Sequence, residues 1–324
     1  MNYKEMQSVI DAIKERDNFI LSSHIKPEGD SIGSQLAMKS LLLAIGKKAA
    51  IINQDPVPDN MKFLRGAESI SDFIPSGFIP QTIIYLDSPL SDRVGSVGDL
   101  FDDGLFSINI DHHVSNEYFA DVNWVEKDMS SAGEMVHLLY SAFGLKHDMN
   151  TAEIVYAAIV TDTGMFNYDN TSPDTHRIAA DLITSGVLPN KMFRNIYEGK
   201  EWFQVKILGK VLSSLVIEEG GRVAHISLTK EMVHDEGLKY VSTEEFINYP
   251  RAIKGVSVAV FFNENAKVND SISIGFRSNS EIIDVNEIAS KFGGGGHKKA
   301  AGCYYSGTLD EARKAVLSEI KRVL

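Results

Sequence analysis

Apolar residues along the first half of the chain alternate between two spacings. From residue 3 to residue 16 they recur with helical periodicity, and the short apolar run Phe19–Leu21 that follows is typical of a buried strand. The alternation continues with predicted helices at Ser31–Ala44, Gly133–Phe143 and Ala152–Val160 and predicted strands at Ala49–Ile52, Thr82–Leu86 and Leu105–Ile110. Short apolar strands between helices predict an α/β domain with a mostly parallel sheet and flanking helices.

The second half of the chain shows a different pattern. After Pro189, residues 191–214 are charged and helical in periodicity, which we interpret as a linker. Strand-like runs occur at Leu215–Ile217, Val223–Ile226, Val256–Phe262 and Ser271–Phe276, before a glycine-rich turn and a predicted helix at Leu309–Leu324. We therefore expect two domains, 1–190 and a smaller α/β domain at 215–324, joined by that helical linker.

Length and composition narrow the function classes. With 324 residues, of which 44% are apolar, the chain can form two ordinary cores. The formal net charge of −12 argues against binding along a long nucleic-acid backbone, so any nucleic-acid ligand should be short. Cys303 is the single cysteine, which excludes a disulfide framework and a cysteine-rich zinc site and favours a reducing, cytoplasmic location. No apolar run approaches the roughly 20 residues that span a bilayer, so we expect neither secretion nor membrane insertion.

Acidic residues and histidines are concentrated where predicted strands or helices end. In parallel sheets, ligand sites form beyond the carboxyl ends of the strands. Directly after the first strand, the segment 24–34 contains one histidine and two acids within its first positions. Asp87 ends another strand, the triplet Asp111-His112-His113 follows a third, and Asp162 follows an apolar helix.

Each of these segments has a simpler explanation when it stands alone. Asp30 could cap the next helix, and Asp87 could start a turn. The histidine pair could belong to a solvated loop; adjacent side chains also point in different directions, so one could bind metal while the other faces substrate. Asp162 is unfavourable at the end of a helix unless a cation lies nearby.

Taken together, the segments supply two imidazoles and four carboxylates. The set consists of His24, Glu28, Asp30, Asp87, His112 and Asp162. It predicts a centre for two divalent metal ions. Oxygen and imidazole donors without thiolates favour Mn²⁺, with Mg²⁺, Co²⁺, zinc or iron as alternatives. Two such ions can lower the pKa of a shared water and neutralise the charge that grows on a phosphoryl group.

A fifth segment, Gly293–Gly302, begins with consecutive glycines and continues with His297 and two lysines. Glycine N–H groups can close around an anion, and Arg277, which precedes Ser278, adds positive charge to an acidic chain. The pattern predicts a phosphate-binding loop; a flexible linker is the alternative, although a linker is not expected between an apolar helix and an apolar strand. The loop spacing of nucleoside triphosphatases and a strand–G-x-G-x-x-G–helix unit are both missing, which argues against a kinase or a dinucleotide-dependent dehydrogenase.

In this order, the five segments resemble the DHH phosphoesterase family, in particular its two-domain branch of oligoribonucleases that also dephosphorylate 3′-phosphoadenosine 5′-phosphate. The likeness covers essentially the whole chain. Residues 24–34 resemble the family's first motif, Leu86-Asp87-Ser88 the second, Asp111-His112-His113 the name-giving third and Asp162-Thr163-Gly164 the fourth. Gly293–Gly302 resembles the signature of the DHH-associated C-terminal domain.

The resemblance implies a role for each of these residues. One metal ion would be held by His24, Glu28 and Asp87, and the other by Asp30, Asp87, His112 and Asp162. His113 would act on the scissile phosphate, with Asp87 bridging the two ions, and Asp111 would orient a histidine. The substrate's phosphate would be held by Arg277, Ser278, Gly294, Gly295, Gly296 and His297. The active site would then lie in a cleft over which the second domain closes.

Glu28 departs from the family pattern, which has aspartate at this position. The longer side chain moves the carboxylate by about 1.5 Å, which changes the geometry of the first metal site. We expect activity to be retained, because Pro27 and Gly29 allow the loop to adjust. The expected reaction is hydrolysis of dinucleotides and short single-stranded oligonucleotides to mononucleotides, and of 3′-phosphoadenosine 5′-phosphate to AMP. We expect neither a long duplex nor a membrane as a partner, and the resemblance implies a homodimer.

Two other functions stay open from the sequence. Related folds use the same metal ligands on phosphoanhydrides, as inorganic pyrophosphatases and exopolyphosphatases do. Glu28 invites a third interpretation, a non-catalytic sensor of a nucleotide such as a cyclic dinucleotide. Phe166, Tyr168 and Phe276 could stack on a base or belong to the core, and the pair His176-Arg177 could reach the site or cap and pair on a helix.

Overall fold

The computed structural model of the protein describes residues 3–101, 104–234, 243, 245–264 and 271–324. The chain forms two compact units, Met1–Gly199 and Lys200–Leu324. Each unit is built on its own six-stranded sheet, and each also contains helices. The predicted α/β class, with a mostly parallel sheet in the N-terminal part and a smaller α/β part after it, is confirmed; the second sheet is mixed.

The sheet of the first unit is parallel throughout. Its strands are β1 (Phe19–Ser22), β2 (Ala49–Ile52), β3 (Ile70–Ser71), β4 (Thr82–Leu86), β5 (Phe106–Asp111) and β6 (Val122–Val125). They lie in the order β3-β2-β1-β4-β5-β6. The helices are α1 (Tyr3–Glu15), α2 (Gly29–Ala44), α3 (Ala132–Ala142), α4 (Met149–Asp162), α5 (Pro173–Thr184) and α6 (Pro189–Tyr197), and short 3-10 segments include Ser91–Leu100. The strand order changes direction at β1, and ligands of such sheets bind beyond the carboxyl ends of the strands at that point.

Close packing of α2 on α4 fixes the position of both helices. The central strand residues Phe19–Leu21 are completely buried, as expected for a parallel sheet covered on both faces. A Cβ at Gly33 would lie 2.8 Å from the Cβ of Ala158, and a Cβ at Gly29 would lie 2.4 Å from the side chain of Thr161. The two glycines therefore bring the start of α2 next to the end of α4.

The second unit contains a mixed sheet. Its strands are β7 (Val216–Glu218), β8 (Val223–Leu228), β9 (Val258–Asn263), β10 (Ile272–Ser278), β11 (Gly295–His297) and β12 (Ala300–Tyr305), in the order β11-β12-β10-β9-β8-β7. β8 and β9 are parallel, and the other neighbouring pairs are antiparallel. The helices are α7 (Trp202–Ser213), α8 (Lys230–His234), α9 (Asn248–Arg251), α10 (Val285–Ser290) and α11 (Leu309–Lys321).

Residues of the predicted linker, 191–214, pack into both cores. In α6, Met192 and Ile196 belong to the core of the first unit. In α7, Ile207 and Val211 belong to a core of the second unit. None of the helices in the described ranges has the length and apolar character that crossing a membrane requires.

The hydrophobic pattern did not predict β6 or α5. β6 is short, and polar Asn123 precedes the buried Trp124, so it lacks a continuous apolar run. α5 carries a start signal that could have identified it. Ser172 accepts a hydrogen bond from the N–H of Thr175 in a capping box, and Pro173 occupies the first turn.

Candidate functional site

Three neighbouring strands, β1, β4 and β5, end at the predicted site residues. His24 lies just after β1, Asp87 directly after β4 and His112 directly after β5. Asp87 has a left-handed backbone with φ of 54°, yet its N–H still donates to the carbonyl of Ile110 at 3.1 Å. A non-glycine residue in this conformation costs about 1 kcal/mol, and such strain is concentrated at functional sites.

His112 lies among three carboxylates. Its Nε2 atom is 3.5 Å from Asp87 Oδ1, 3.6 Å from Asp162 Oδ2 and 3.8 Å from Asp30 Oδ2, and it has no hydrogen-bond partner in the described structure. Its Nδ1 faces the carbonyl oxygen of Met129 at 3.3 Å. Histidines that bind metals commonly donate their other ring N–H to a carbonyl or a carboxylate. A buried ring nitrogen without a partner beside three carboxylates therefore fits a bound cation.

Two groups of side chains in the described ranges have ligand atoms that all lie within 4.8 Å of one another. The first group is Asp87, His112 and His113, and the second is Asp30, His112 and Asp162. Carboxylate oxygens mixed with imidazole nitrogens suit a divalent cation. The structure thus brings together Asp30, Asp87, His112 and Asp162, in groups that could bind a metal.

His24 contacts this cluster through a hydroxyl group. Its Nε2 is 3.4 Å from Asp87 Oδ2, and the Ser31 hydroxyl lies 2.8 Å from the same nitrogen and 2.6 Å from the same oxygen. Its Nδ1 faces the carbonyl of Ile25 at 2.7 Å, which again leaves Nε2 directed toward the carboxylate. Ser31 was not identified from the sequence, although its place directly after Asp30 in the same motif could have suggested it.

Asp30 does not cap its own helix. α2 begins at Gly29 rather than at the predicted Ser31, and its N-cap residue is Glu28. The carboxylate of Asp30 instead accepts the N–H groups of Ala132 and Gly133, at 2.7 and 2.8 Å, at the start of α3. The interpretation of Asp30 as the cap of α2 is therefore wrong. The free N–H groups and the dipole of α3 favour a carboxylate at this point.

Glu28 lies outside both metal-binding groups of the described residues. It is exposed, and its side chain makes no capping hydrogen bond at the start of α2. Its charge still reaches the cluster, because it helps to raise the pKa of Asp162. Glu28 therefore acts on the site through its electric field in this structure.

Asp111 is completely buried behind His113. Its Oδ1 accepts a hydrogen bond from His113 Nδ1 at 2.7 Å, and its Oδ2 accepts one from Asn116 Nδ2 at 2.6 Å. Asn116 also donates to Asn109 Oδ1 at 2.7 Å, and Asn109 donates to the carbonyl of Ser88 at 3.0 Å. The hydrogen bond between His113 Nδ1 and Asp111 Oδ1 is the contact that Asp111 needs in order to orient His113. The two asparagines, which link this loop to the loop after β4, were not identified from the sequence.

Burial and mutual charge shift the pKa values in the cluster in opposite directions. Burial raises the pKa of Asp162 to about 6, and the charge of Asp87 acts in the same direction. Burial would raise the pKa of Asp87 as well, but the neighbouring imidazoles of His112 and His24 hold it well below its usual value. Burial would lower the pKa of His112, but the carboxylates around it hold that pKa well above its usual value. Carboxylates forced together beside a charged imidazole form a site in which a metal cation can replace the proton.

The glycine-rich segment of the second unit forms part of its sheet. β11 pairs with β12, so the segment is not a flexible linker. A Cβ at Gly294 would lie 2.2 Å from the carbonyl oxygen of Gly302, and Gly296 has φ of 150° with its Cβ position 2.5 Å from the carbonyl oxygen of Ala300. Only glycine fits these two positions, because the space excludes a side chain at both and the backbone conformation also disfavours one at Gly296. His297, at the end of β11, is exposed.

The remaining predicted substrate residues differ in their surroundings. Arg277 lies next to Ser278 at the end of β10, and its Nη1 donates to the carbonyl of Phe276 at 3.0 Å. The Ser278 hydroxyl is buried and donates to the carbonyl of Ile283 at 3.0 Å, so its hydrogen already has an acceptor inside the unit. Phe276 is completely buried in a core cluster, which excludes it from stacking on a base.

The residues after Asp162 form a left-handed turn. Gly164, Met165 and Phe166 all have positive φ, between 53° and 64°. The ring of Phe166 stacks on His176 at 5.0 Å between centroids, and Tyr168 is exposed. The neighbouring residue Arg177 forms an ion pair with Asp174 on the exposed face of α5.

The fold and the cluster together define a two-unit α/β protein with an acid- and histidine-rich site at the switch point of a parallel sheet. Residues 18–159 match the DHH family, N-terminal domain, and residues 209–324 match the DHHA1 domain. The chain belongs to the DHH family of phosphoesterases. The resemblance and the class of enzyme inferred from the sequence, a phosphoesterase hydrolase, are confirmed.

Three similar proteins cover nearly the whole chain. A bifunctional oligoribonuclease and PAP phosphatase from Thermus thermophilus is 32% identical over 99% of this chain and 95% of its own. A protein of the same description from Bacillus subtilis is 28% identical over 91% of each chain. The crystal structure of an exopolyphosphatase-related protein from Bacteroides fragilis is 26% identical, with a TM-score of 0.91 over 99% of this chain and 96% of that one.

Proposed function

We propose that this protein hydrolyses dinucleotides and other very short single-stranded oligonucleotides to mononucleotides, and 3′-phosphoadenosine 5′-phosphate to AMP. The observation that carries the proposal is the position of His112 Nε2, which is buried without a hydrogen-bond partner among the described residues and lies beside the carboxylates of Asp30, Asp87 and Asp162. The description of the Thermus thermophilus and Bacillus subtilis relatives supports the choice of substrates. The acidic net charge of the chain, −12, supports short substrates over long duplexes.

The proposed cofactor is a pair of divalent ions, with Mn²⁺ favoured over Mg²⁺ or Co²⁺. One ion is assigned to Asp30, Asp87, His112 and Asp162 and the other to His24, Glu28 and Asp87. When bound, such ions supply Lewis-acid stabilisation of phosphoryl charge and lower the pKa of water. The second assignment is the weaker of the two, since Glu28 lies outside the metal-binding groups of the described residues.

The protein's own residues orient the reacting groups. The Asp111 carboxylate holds His113 through Nδ1 and fixes the orientation of the ring, and His113 is assigned to act on a phosphoryl oxygen through Nε2. Asn116 holds the second oxygen of Asp111 and so prevents the carboxylate from rotating away. The α3 N–H groups do the same for Asp30. Fixed side chains of this kind need little reorganisation during the reaction.

The second unit supplies the proposed phosphate-binding groups. Gly295 and Gly296 are assigned to supply backbone N–H groups to an anion, and Arg277 and His297 to add further donors. The N–H of Gly294 already donates to the carbonyl of Ala289 at 3.0 Å, so Gly294 is assigned to shape the loop. The Ser278 hydroxyl donates to the carbonyl of Ile283, so Ser278 is assigned to hold the backbone at that residue and not to bind the anion itself. The proposed partner is a phosphate group of the substrate, and a homodimer stays a prediction.

The test is hydrolysis of a 5′-phosphorylated dinucleotide and of 3′-phosphoadenosine 5′-phosphate, with and without Mn²⁺. We expect metal-dependent turnover of both by the unchanged protein and loss of about three orders of magnitude or more in Asp87→Ala. Asp59→Ala is the matched control, because Asp59 is a surface acid paired with Lys62. Turnover that is independent of added metal, or unchanged in Asp87→Ala, would contradict the proposal.

A phosphoanhydride hydrolase is the second candidate function. It is favoured by the similar structure described as exopolyphosphatase-related. Release of phosphate from pyrophosphate or polyphosphate, without action on either nucleotide, would support it. The third interpretation, a nucleotide sensor, predicts tight nucleotide binding in Mn²⁺ without turnover, and turnover appearing in Glu28→Asp.

A further inference from the structure

The backbone of Arg93 is fixed beside the loop that carries His24. Its carbonyl oxygen accepts the N–H of Ile25 at 2.6 Å. The two loops come this close because position 95 is glycine: a Cβ on Gly95 would lie 2.2 Å from Gln54 Oε1 and 2.6 Å from Ile25 Cγ2, and its φ is 71°. The position of Arg93 is therefore set by main-chain contacts, independently of its own side chain.

The Arg93 side chain takes no part in these main-chain contacts. It is exposed, and its guanidinium makes no hydrogen bond or ion pair with another residue in the ranges that the structure describes. Exposed Arg177 of the same unit, by contrast, forms an ion pair with Asp174. The hydrogen bond between the Arg93 carbonyl and the N–H of Ile25, the residue after His24, places Arg93 at the edge of the cluster.

A cationic side chain beside this site can bind a phosphate ester in addition to metal ions. The carboxyl groups of Asp30, Asp87 and Asp162 line the cluster, and the substrate is itself an anion. A guanidinium presents parallel N–H donors that match two oxygens of a phosphate, and it stays charged at any working pH. An unpaired arginine on a rigid loop at the edge of the cluster supplies such a group.

We propose that Arg93 binds a non-bridging oxygen of the scissile phosphate and is a substrate-contacting residue of this site. The inference rests on the proposed phosphoesterase function and adds a residue that lies outside the predicted metal and glycine-loop sets. It predicts effects of opposite sign on the two ligands. Removing the guanidinium weakens binding of the anionic substrate, whereas it strengthens or leaves unchanged the binding of Mn²⁺, because a positive charge near the cation site is removed.

The experiment compares the unchanged protein with Arg93→Ala, Arg93→Lys and the control Arg65→Ala, an exposed arginine of the same unit beside Asp148. Steady-state kinetics are measured in Mn²⁺ on a dinucleotide with and without a 5′-phosphate and on 3′-phosphoadenosine 5′-phosphate. Mn²⁺ binding to the metal-free proteins is measured by electron paramagnetic resonance. Thermal unfolding of each protein checks that it is folded.

We expect kcat/KM of Arg93→Ala to fall about 10- to 150-fold on all three substrates, the range for one charge-assisted hydrogen bond. Arg93→Lys should fall less, since it keeps the charge and loses the paired donors. Arg65→Ala should stay close to the unchanged protein. A loss confined to the substrate with a 5′-phosphate, a change below threefold on all substrates, or a parallel fall in Mn²⁺ affinity would overturn the assignment.

Failure of the proposed function can be told apart from failure of this inference. If the unchanged protein hydrolyses none of these substrates, the dissociation constant of 3′-phosphoadenosine 5′-phosphate is measured by calorimetry on the Mn²⁺-loaded proteins. Weaker binding in Arg93→Ala, with the control unchanged, would support the phosphate contact in a protein that binds nucleotides without turnover. Equal binding in all variants would overturn it.

Discussion

Replacement of Asp162 by asparagine should make the metal-free protein more stable while it abolishes metal-dependent hydrolysis. Asp162 ends α4, and its Oδ2 accepts a hydrogen bond from Asn170 Nδ2 at 3.3 Å, which the oxygen of the new amide can also accept. Asp162→Asn thus keeps the shape of the side chain and removes one charge from the cluster. Residues that bind ligands are often a source of instability in the free protein.

The size of the effect follows from the pKa of Asp162. Burial and neighbouring carboxylates raise this pKa from 3.8 to about 6. A shift of about two units corresponds to about 3 kcal/mol, which contact of the side chain with solvent reduces to about 1–2 kcal/mol. Because the pKa is raised in the folded state, the folded chain loses this free energy as the pH rises from about 4 to about 6. The gain in Asp162→Asn is therefore complete above about pH 6 and smaller at about pH 5.

The assay is urea unfolding followed by circular dichroism, in a metal chelator, at about pH 7.5 and about pH 5. Asp169→Asn is the matched control, because Asp169 is exposed in the same loop and carries the same charge. The control should change stability by less than about 0.5 kcal/mol. Added Mn²⁺ should stabilise the unchanged protein more than Asp162→Asn, since a ligand stabilises the state that binds it. An Asp162→Asn protein that is less stable than the unchanged protein in chelator at the higher pH would refute the reasoning.

Three further outcomes test the packing and the buried groups. Gly33→Ala should lower the free energy of unfolding by about 1–3 kcal/mol, because the new Cβ would collide with Ala158. Gly209→Ala should raise it by up to about 1 kcal/mol, because no atom lies within 4 Å of the new Cβ. Urea unfolding that ranks the two variants the other way would contradict the helix packing. Burial and the charge of His137 lower the pKa of His147 to about 4, so stability should fall as the pH drops from about 6.5 to about 4. His147→Gln should flatten that profile, and an equal fall in this variant would contradict the role of His147. Cys303 is buried with its thiol pKa raised to about 11, so it should react with a thiol reagent only after unfolding, and fast labelling of the native protein would contradict its burial.

The sheet of the first unit could be predicted because its central strands are completely buried. Burial on both faces makes Phe19–Leu21 a continuous apolar run, which the sequence displays directly. β6 escaped prediction because Asn123 interrupts its pattern, and burial of Trp124 depends on the packed structure. The ends of strands that are buried on both faces can therefore be predicted, and acidic residues or histidines at those ends indicate a candidate site.

The candidate site could be predicted only as far as residue type and order along the chain define it. Asp87, His112 and Asp162 follow predicted elements and carry ligand atoms, so both criteria identify them. Ser31 and Asn116 carry no charge, and their function in the site follows from hydrogen bonds to residues on other loops. Such contacts are set by how the loops meet after folding, which periodicity does not describe.

Glu28 and Asp30 lie two positions apart in the same motif, but their carboxylates have different surroundings in the structure. The sequence treats both as carboxylates of one loop, yet Asp30 is buried and bound by two N–H groups of α3, while Glu28 is exposed. A buried carboxylate held by main-chain donors keeps one orientation, whereas an exposed one acts at longer range through its charge. Exchange of Glu28 for aspartate therefore changes the reach of the side chain and its field at Asp162 together. Metal affinity and the pKa of Asp162 should therefore both change in Glu28→Asp. The departure from the family pattern at position 28 thus affects the charge balance of the whole cluster.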